Sequence, residues 1–306
     1  MYSWLLSALC GNANVIRLSP RSIDNSTGLI DLVREALADH PTMAATTALV
    51  TYGHDHEVTQ ILSTADVRVI WGGDDAVASV RAVPSAPYTR DLAFPDRFSL
   101  SALSARAVED ASDAQVSELA HALFNDAYWF DQLGCASPRL IVWVGDGRTT
   151  GSASSRLATA LRVHLQARGH PMPPTSAVMA KFVHVADAAA RGLVSHVARR
   201  ANPLPTATGP RLVAFARHAP GGGLFYETRV DDITDLATHV ERKDQTLGIY
   251  GIEDDAVRRL VESLGSRGID RILPIGQALQ FDRFWDGVDL LTEFTRAVSL
   301  PATFRG

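Results

Sequence analysis

Apolar and polar positions along this 306-residue chain follow two periods. Short apolar runs bounded by Gly, Pro or Asn recur at 14–18, 47–52, 67–71, 139–144, about 224–230, 246–250 and 271–275. Each has the length and composition of a strand. Between them apolar residues return every three or four positions, as in Leu29, Leu32, Val33, Ala36 and Leu37, or in Val116, Leu119, Ala120, Leu123 and Phe124. That spacing gathers one apolar face and predicts helices over 25–39, 55–63, from about 74, 113–130, 152–168, 176–199, 231–243 and 253–265. Asn25 and Ser26 are the cap candidates of the first of these. Residues 1–10 read as a core helix and 201–210 as a surface loop. Strands and helices succeeding one another at this pitch predict βαβ units and a parallel sheet. Ligands of such sheets bind beyond the carboxyl ends of the strands, here Ser19–Arg21, Gly53–His56 and Gly72–Asp75.

Composition narrows the classes. With 46% hydrophobic and 21% charged residues, the chain is neither disordered, collagen-like nor a disulfide-stapled miniature. The length accommodates two domains. A net charge of −5 argues against a nucleic-acid-coating role, although local arginines can still oppose an anion. Only Lys181 and Lys243 among the 29 basic side chains are lysines, so few positions can supply a catalytic amine. Cys10 and Cys135 form no disulfide framework, and a reducing, cytoplasmic compartment fits them. No stretch reaches the ~20 apolar residues of a membrane helix. The first ten residues lack the basic region of a signal peptide.

Candidate chemistry is sparse. Cys135 stands in a short helix-to-strand loop, Asp131-Gln-Leu-Gly-Cys-Ala-Ser-Pro138, where backbone amides can face a developing oxyanion. It reads equally as a small buried hydrophobe, and the negative end of the preceding helix dipole does not favour a thiolate. Cys10 reads as core. Trp71-Gly-Gly-Asp-Asp75 has the strand-to-helix context of an anion site, but its aspartates oppose a tight phosphate cage. Gly145-Asp-Gly-Arg-Thr-Thr-Gly151 has GxGxxxG spacing rather than GxGxxG and reads as an ordinary βα turn. His54-Asp-His56 lacks further ligands at recognisable spacing, so no metal is expected. Arg17 interrupts an apolar strand near its carboxyl end, either at a ligand or snorkelling to solvent.

Four segments, in this order, resemble one family. They are Ala8-Leu-Cys-Gly-Asn-Ala-Asn-Val-Ile-Arg-Leu-Ser-Pro-Arg-Ser22, Trp71-Gly-Gly-Asp-Asp-Ala76, Phe124-Asn-Asp-Ala-Tyr-Trp-Phe-Asp-Gln-Leu-Gly-Cys-Ala-Ser-Pro138 and Phe281-Asp-Arg-Phe-Trp-Asp-Gly-Val-Asp-Leu290. The chain is similar to the LuxC-like acyl-CoA reductases, fatty acyl reductases first known from bacterial bioluminescence and a branch of the aldehyde dehydrogenase superfamily. The resemblance implies an α/β fold of aldehyde-dehydrogenase type. Residues 1–95 would be the carboxyl-terminal part of an incomplete, parallel-sheet Rossmann-type NADP-binding domain. Residues 96–290 would be the α/β catalytic domain carrying Cys135, and 291–306 a C-terminal helix and tail.

Carried over residue by residue, the resemblance makes Cys135 the acyl-accepting nucleophile. It places Arg17 and Ser19 around the adenosine ribose, Gly72 and Gly73 beside the cofactor's pyrophosphate, and Glu227 at the nicotinamide ribose. The implied reaction is NADPH-dependent reduction of a fatty acyl thioester to its aldehyde through an acyl-cysteine and a thiohemiacetal. A carrier-protein-linked or aromatic acyl reductase of the same fold is the alternative. A non-catalytic remnant that binds an acyl-transfer partner is another. Acyl-CoA or an acyl carrier would be substrate, an acyl-protein synthetase or acyltransferase subunit a partner, and the full-length form a homo-oligomer. In the region where hydrolytic relatives hold a water-activating glutamate, the chain reads Ala93-Phe-Pro-Asp-Arg97, as suits a reductase. The family's oxyanion asparagine lies upstream of the first segment, so the chain is expected to be a fragment with Met1 an internal methionine.

Overall fold

The computed structural model describes residues 2–20, 23–53, 56–194, 196–199, 205–208 and 216–300. The chain divides into two compact units, residues 1–96 with 281–306, and residues 97–280.

In the first unit, α1 (Tyr2–Leu9), β1 (Asn14–Leu18), α2 (Ile23–Ala38), α3 (Pro41–Ala45), β2 (Thr47–Thr51), α4 (His56–Leu62), β3 (Val67–Trp71), α5 (Asp74–Arg81) and β4 (Arg90–Phe94) follow one another. β1 pairs in parallel with β2, from Asn14 opposite Thr47 to Leu18 opposite Thr51. β3 pairs likewise with β4, from Val67 opposite Arg90 to Trp71 opposite Phe94. A cavity of about 1630 Å³ is lined by every residue of β1 and of β3. The parallel sheet expected for this region is therefore present as two separate ladders.

Buried polar cross-links stiffen the second ladder. Arg68 on β3 takes both carboxylate oxygens of Asp91 on β4, at 2.6 and 2.8 Å, and donates to Ser63 and the Val83 carbonyl. Such a bidentate pair holds register as well as charge. Residues 281–290, grouped above with the catalytic segment, return to the first unit. Phe281 stacks on Tyr2 at 4.1 Å, Asn12 donates to the Phe294 carbonyl, and Arg90 pairs with Glu293. The expected C-terminal helix is a single turn, Leu290–Glu293.

The second unit is built on a seven-stranded sheet. Its elements are β5 (Phe98–Ser104), α6 (Ala105–Asp110), α7 (Asp113–Ala127), β6 (Pro138–Val144), α8 (Gly147–Ala167), α9 (Thr175–Ala190), β7 (His196–Arg199), β8 (Pro205–Thr208), β9 (Phe225–Val230), a 3₁₀ turn (Ile233–Thr238), β10 (Asp244–Tyr250), α10 (Asp254–Leu264) and β11 (Arg271–Pro274). The order is β11-β10-β5-β6-β9-β8-β7, and each neighbouring pair is parallel except β7 with β8. Side chains alternate along β6: Leu140 and Val142 enter one core cluster, Ile141 and Trp143 the other. The 3₁₀ turn and α10 cover the first face with Ile233, Leu236, Leu260 and Leu264. Helices α7 and α8 cover the second with Leu119, Leu123, Leu157 and Leu161. A parallel sheet buried on both faces explains why its strands read as continuous apolar runs.

Three expectations are corrected here. The helix predicted over 176–199 ends at Ala190, where Gly192 takes a φ of 65° and lets the chain turn into β7. The helix predicted over 231–243 is only the 3₁₀ turn, fixed by a capping box between Asp232 and Asp235. β8 occupies 205–208 within the predicted surface loop. Among the described residues, no helix is long and apolar enough to cross a membrane.

One buried charge cluster locks the start of β10. Arg217 donates to both carboxylate oxygens of Asp244, at 2.8 and 2.7 Å, to Glu241 at 2.7 Å and to the His239 carbonyl at 2.7 Å. Asp244 is 1% exposed, so removing it strands a buried guanidinium. Asp244→Ala is expected to lower unfolding free energy by about 3–5 kcal/mol in urea titrations, whereas a surface change such as Arg106→Ala should stay within about 0.5 kcal/mol.

Candidate active site

The loop that carries Cys135 begins where α7 runs out of helix partners. Ala127 ends the helix, and Asp131 and Gln132 follow with φ of 46° and 60°. Consecutive left-handed, non-glycine residues are unfavourable unless the surroundings hold them. Gln132 provides that hold. Its side chain is fully buried and donates to the carbonyls of Pro138 (2.9 Å) and Leu224 (3.2 Å) while accepting from the Gly223 amide (2.9 Å). The Asp131 carbonyl accepts from the Gly222 amide at 2.7 Å. Gly221 has a φ of 77°, and a Cβ there would lie 2.9 Å from that carbonyl, so the close approach requires glycine.

Cys135 itself occupies the corner of a tight turn. The Ser137 amide donates to the Gly134 carbonyl at 3.0 Å, closing a four-residue turn with Cys135 at its second position. The Cys135 carbonyl accepts from Ser99 on β5 at 2.7 Å, and the residue is half-buried. Trp129, Phe130 and Leu133, on the same loop, are exposed at 61%, 62% and 73%. Lys181 is buried and donates to the Gly222 carbonyl at 2.7 Å; burial lowers its pKa, with Asp131 opposing. One of the chain's two lysines thus serves as a peg beside the loop rather than as a free amine.

The other predicted residues fall as follows. Glu227 lies on β9, nearly buried, and accepts from the Trp143 indole at 2.9 Å. Arg17, Ser19, Gly72 and Gly73 lie in the first unit. Arg17 is exposed, donates to the carbonyls of Tyr52 and Gly53 at 3.1 Å each, and stacks over the Tyr52 ring. Arg17 and Trp71 both line the cavity of that unit; Ser19, Gly72 and Gly73 are not among its lining residues. A Cβ on Gly72 would meet that of Ala76 at 3.0 Å, and one on Gly73 would meet nothing. Gly73 caps α5 without a side-chain bond, leaving that helix start open, with Asp74 and Asp75 in its first turn. The Gly145 turn differs: Asp146 accepts from the amide and hydroxyl of Thr149 and from the Arg148 amide, which hold its carboxyl below the usual range. A carboxylate already fills that helix start.

His54 and Asp55 lie outside the described residues, as does the side chain of His56. Among the described residues, no group of three His, Cys, Asp or Glu side chains is placed to hold a metal. Residues 93–97 hold structure: Phe94 stacks on Trp71 at 4.1 Å within the first unit, and Arg97 pairs with Asp270 within the second. Sequence reasoning missed Gln132, whose only local sign is an amide within two residues of the Gly134–Cys135 pair.

Comparison with known proteins places these features in context. Residues 1–188 match the family described as acyl-CoA reductase (LuxC). Over 148 residues the chain is 29% identical to a long-chain acyl-protein thioester reductase 2 of Photobacterium leiognathi and 27% identical to a long-chain acyl-protein thioester reductase of Aliivibrio fischeri. Each match takes in 47% of this chain and only 29% of the relative. Among solved structures, lactaldehyde dehydrogenase from Escherichia coli superposes with a TM-score of 0.61 at 14% identity, covering 89% of this chain and 58% of that one. A bifunctional proline utilization A protein superposes with a TM-score of 0.60 at 15% identity, covering 88% and 28%. The fold is therefore aldehyde-dehydrogenase-like.

The carboxamide of Gln132 yields a direct test. Gln132→Leu keeps the volume but leaves two carbonyls and one amide buried without their partner. It should lower stability by about 2–4 kcal/mol in chemical denaturation, more than Leu133→Ala on the exposed neighbour.

Proposed function

Because this chain belongs to the acyl-CoA reductase (LuxC) family, we propose that it carries the thioester-reducing machinery of such an enzyme, with Cys135 as the acyl-accepting nucleophile. The observation that carries this reading is the placement of Cys135: a half-buried residue at the corner of a turn whose backbone is tied to β5, on a loop that Gln132 ties to the turn before β9. Exposed Trp129, Phe130 and Leu133 put apolar surface on the same loop, which suits an acyl chain.

The Cys135 thiolate attacks the carbonyl carbon of an acyl thioester. A new carbon–sulfur bond forms, the bond to the carrier sulfur breaks, and the departing carrier thiolate takes up a proton. Holding the acyl group covalently keeps it in place after a bulky carrier has left. Reduction to the aldehyde then needs hydride, which a reduced nicotinamide dinucleotide, in this reading NADPH, supplies when bound. Arg17, Ser19, Gly72 and Gly73 are the residues that would hold it. The uncapped start of α5 and the open space over Gly73 fit a diphosphate, and Asp74 and Asp75 limit how tightly it is held. Glu227, which accepts from the Trp143 indole inside the second unit, is the residue that would meet the nicotinamide ribose. A protein-linked acyl group stands beside acyl-CoA as substrate, a reading favoured by the names of the two bacterial relatives.

Peptide mass spectrometry after incubation with palmitoyl-CoA tests the nucleophile. The acyl mass should appear on the Cys135 peptide, vanish in Cys135→Ser and persist in Cys10→Ser. Aldehyde formation should fall by more than about 10³-fold in Cys135→Ser. An adduct on Cys10 instead, or none on Cys135, would sink the assignment.

A further inference from the structure

The segment leaving β11 is gripped from two sides by opposite charges. Asp126, on the last turn of α7 and 1% exposed, accepts from the Gly276 amide at 2.6 Å through one oxygen and from the Ala278 amide at 2.8 Å through the other. Arg271, on β11, donates to the carbonyls of Ala278 at 3.3 Å and Gln280 at 2.9 Å. Ala278 thus has its amide held by an acid and its carbonyl by a base. Gly276 has a φ of 100°, and a Cβ there would lie 2.9 Å from that of Ala122, so only glycine brings the segment this close to α7.

What the gripped segment carries is Leu279. A Cβ added to Gly134, the residue immediately before Cys135, would meet Leu279 Cδ2 at 3.4 Å and Ser137 Oγ at 3.2 Å, so Leu279 flanks the Gly134 backbone. A contiguous path of bonds and packing therefore runs from Asp126, through the 276–280 backbone and Leu279, to the nucleophile's turn. A carboxylate is an expensive choice for this place if packing were its only task, since buried charge is disfavoured unless its acceptors are used.

We propose that Asp126 is a positioning residue for Cys135: its carboxylate clamps the 276–280 segment and, through Leu279, fixes the Gly134 side of the turn that presents the thiol. This rests on Cys135 being the acylated residue. Burial pushes the Asp126 carboxyl up to about 6, against the two amides and the nearby charge of Arg271 on β11, which pull it down. Above about pH 6 both oxygens accept and the clamp is closed. Below it a proton occupies the carboxyl and the grip loosens. Stability runs the other way, because a folded-state pKa raised above 3.8 favours the fold at low pH and loses that contribution as pH rises through about 6. A carboxylate that tightens a turn in the range where its ionisation weakens the fold has a signature that ordinary packing lacks.

Backbone hydrogen exchange and acylation rate, measured on the full chain from pH 5 to 8, test the clamp. Relative to Asp126→Asn, the wild-type chain should protect peptides 131–137 and 275–280 about tenfold more above pH 7, with the ratio falling toward one near pH 5. The rate of Cys135 acylation by palmitoyl-CoA should show the same about tenfold ratio and the same pH dependence. Leu279→Ala leaves Asp126 in place. It should keep protection at 275–280 and lose it at 131–137, which also covers the case in which Asp126→Asn fails to fold. Unchanged protection of 131–137 in Leu279→Ala, or a wild-type-to-Asn acylation ratio flat with pH, would overturn the clamp. Absence of any acyl adduct on Cys135 with the exchange pattern intact would instead overturn the nucleophile and leave the clamp standing.

Discussion

The presentation of the thiol depends on one buried carboxamide. Gln132 sits where the chain has left α7 through two left-handed residues, each disfavoured by roughly 1 kcal/mol or more. It offsets that strain by satisfying three backbone groups, one at the start of β6 and two at the turn before β9. β6 and β9 are adjacent strands, with Leu140 opposite Tyr226, so the Cys135 loop is registered against the sheet rather than against another loop. Lys181 reinforces the arrangement by holding the Gly222 carbonyl, whose amide is already given to Asp131. An apolar side chain at 132 fills the same space but abandons the register.

The two βα turns that attracted attention in the sequence are separated by a similar bookkeeping of backbone donors. At the start of α8 the orphan amides are already taken by Asp146, and an incoming anion would have to displace a carboxylate held by its own loop. At the start of α5 glycine supplies no cap, and the space beside it is open. The proposed diphosphate site is accordingly drawn after β3 rather than after β6. Glycine count is a poorer guide than what fills the helix terminus.

Much of the fold was legible because buried parallel strands and amphipathic helices write different periods, and β1, β2 and β3 fall within one residue of the apolar runs that predicted them. The failures are local and physical. The apolar spacing of 176–199 continues past Ala190, but Gly192 breaks the helix and the remainder pairs as a strand edge, a tertiary choice that periodicity does not record. β5 was missed because Phe98-Ser-Leu-Ser-Ala-Leu-Ser104 carries serines, two of which, Ser99 and Ser101, the sheet buries on one face, where Ser99 finds the Cys135 carbonyl. The loop around Cys135 was legible as a helix-to-strand connection, which the structure places between α7 and β6. Asp126 and Gln132 were not, because all but one of the groups they satisfy lie about 90 to 150 residues away and become neighbours only in the folded sheet.

In the proposed chemistry, orientation of the Cys135 thiol is what the surrounding backbone supplies. Cys135 follows the carbonyl end of α7, and Asp126 and Asp131 lie on either side of that terminus. The bond made and the bond broken are both carbon–sulfur bonds to a carbonyl, so the exchange is nearly balanced, and the barrier that remains is largely one of approach and angle. A turn tied to β5, registered by Gln132 and braced at Gly134 by Leu279 meets that requirement with backbone geometry.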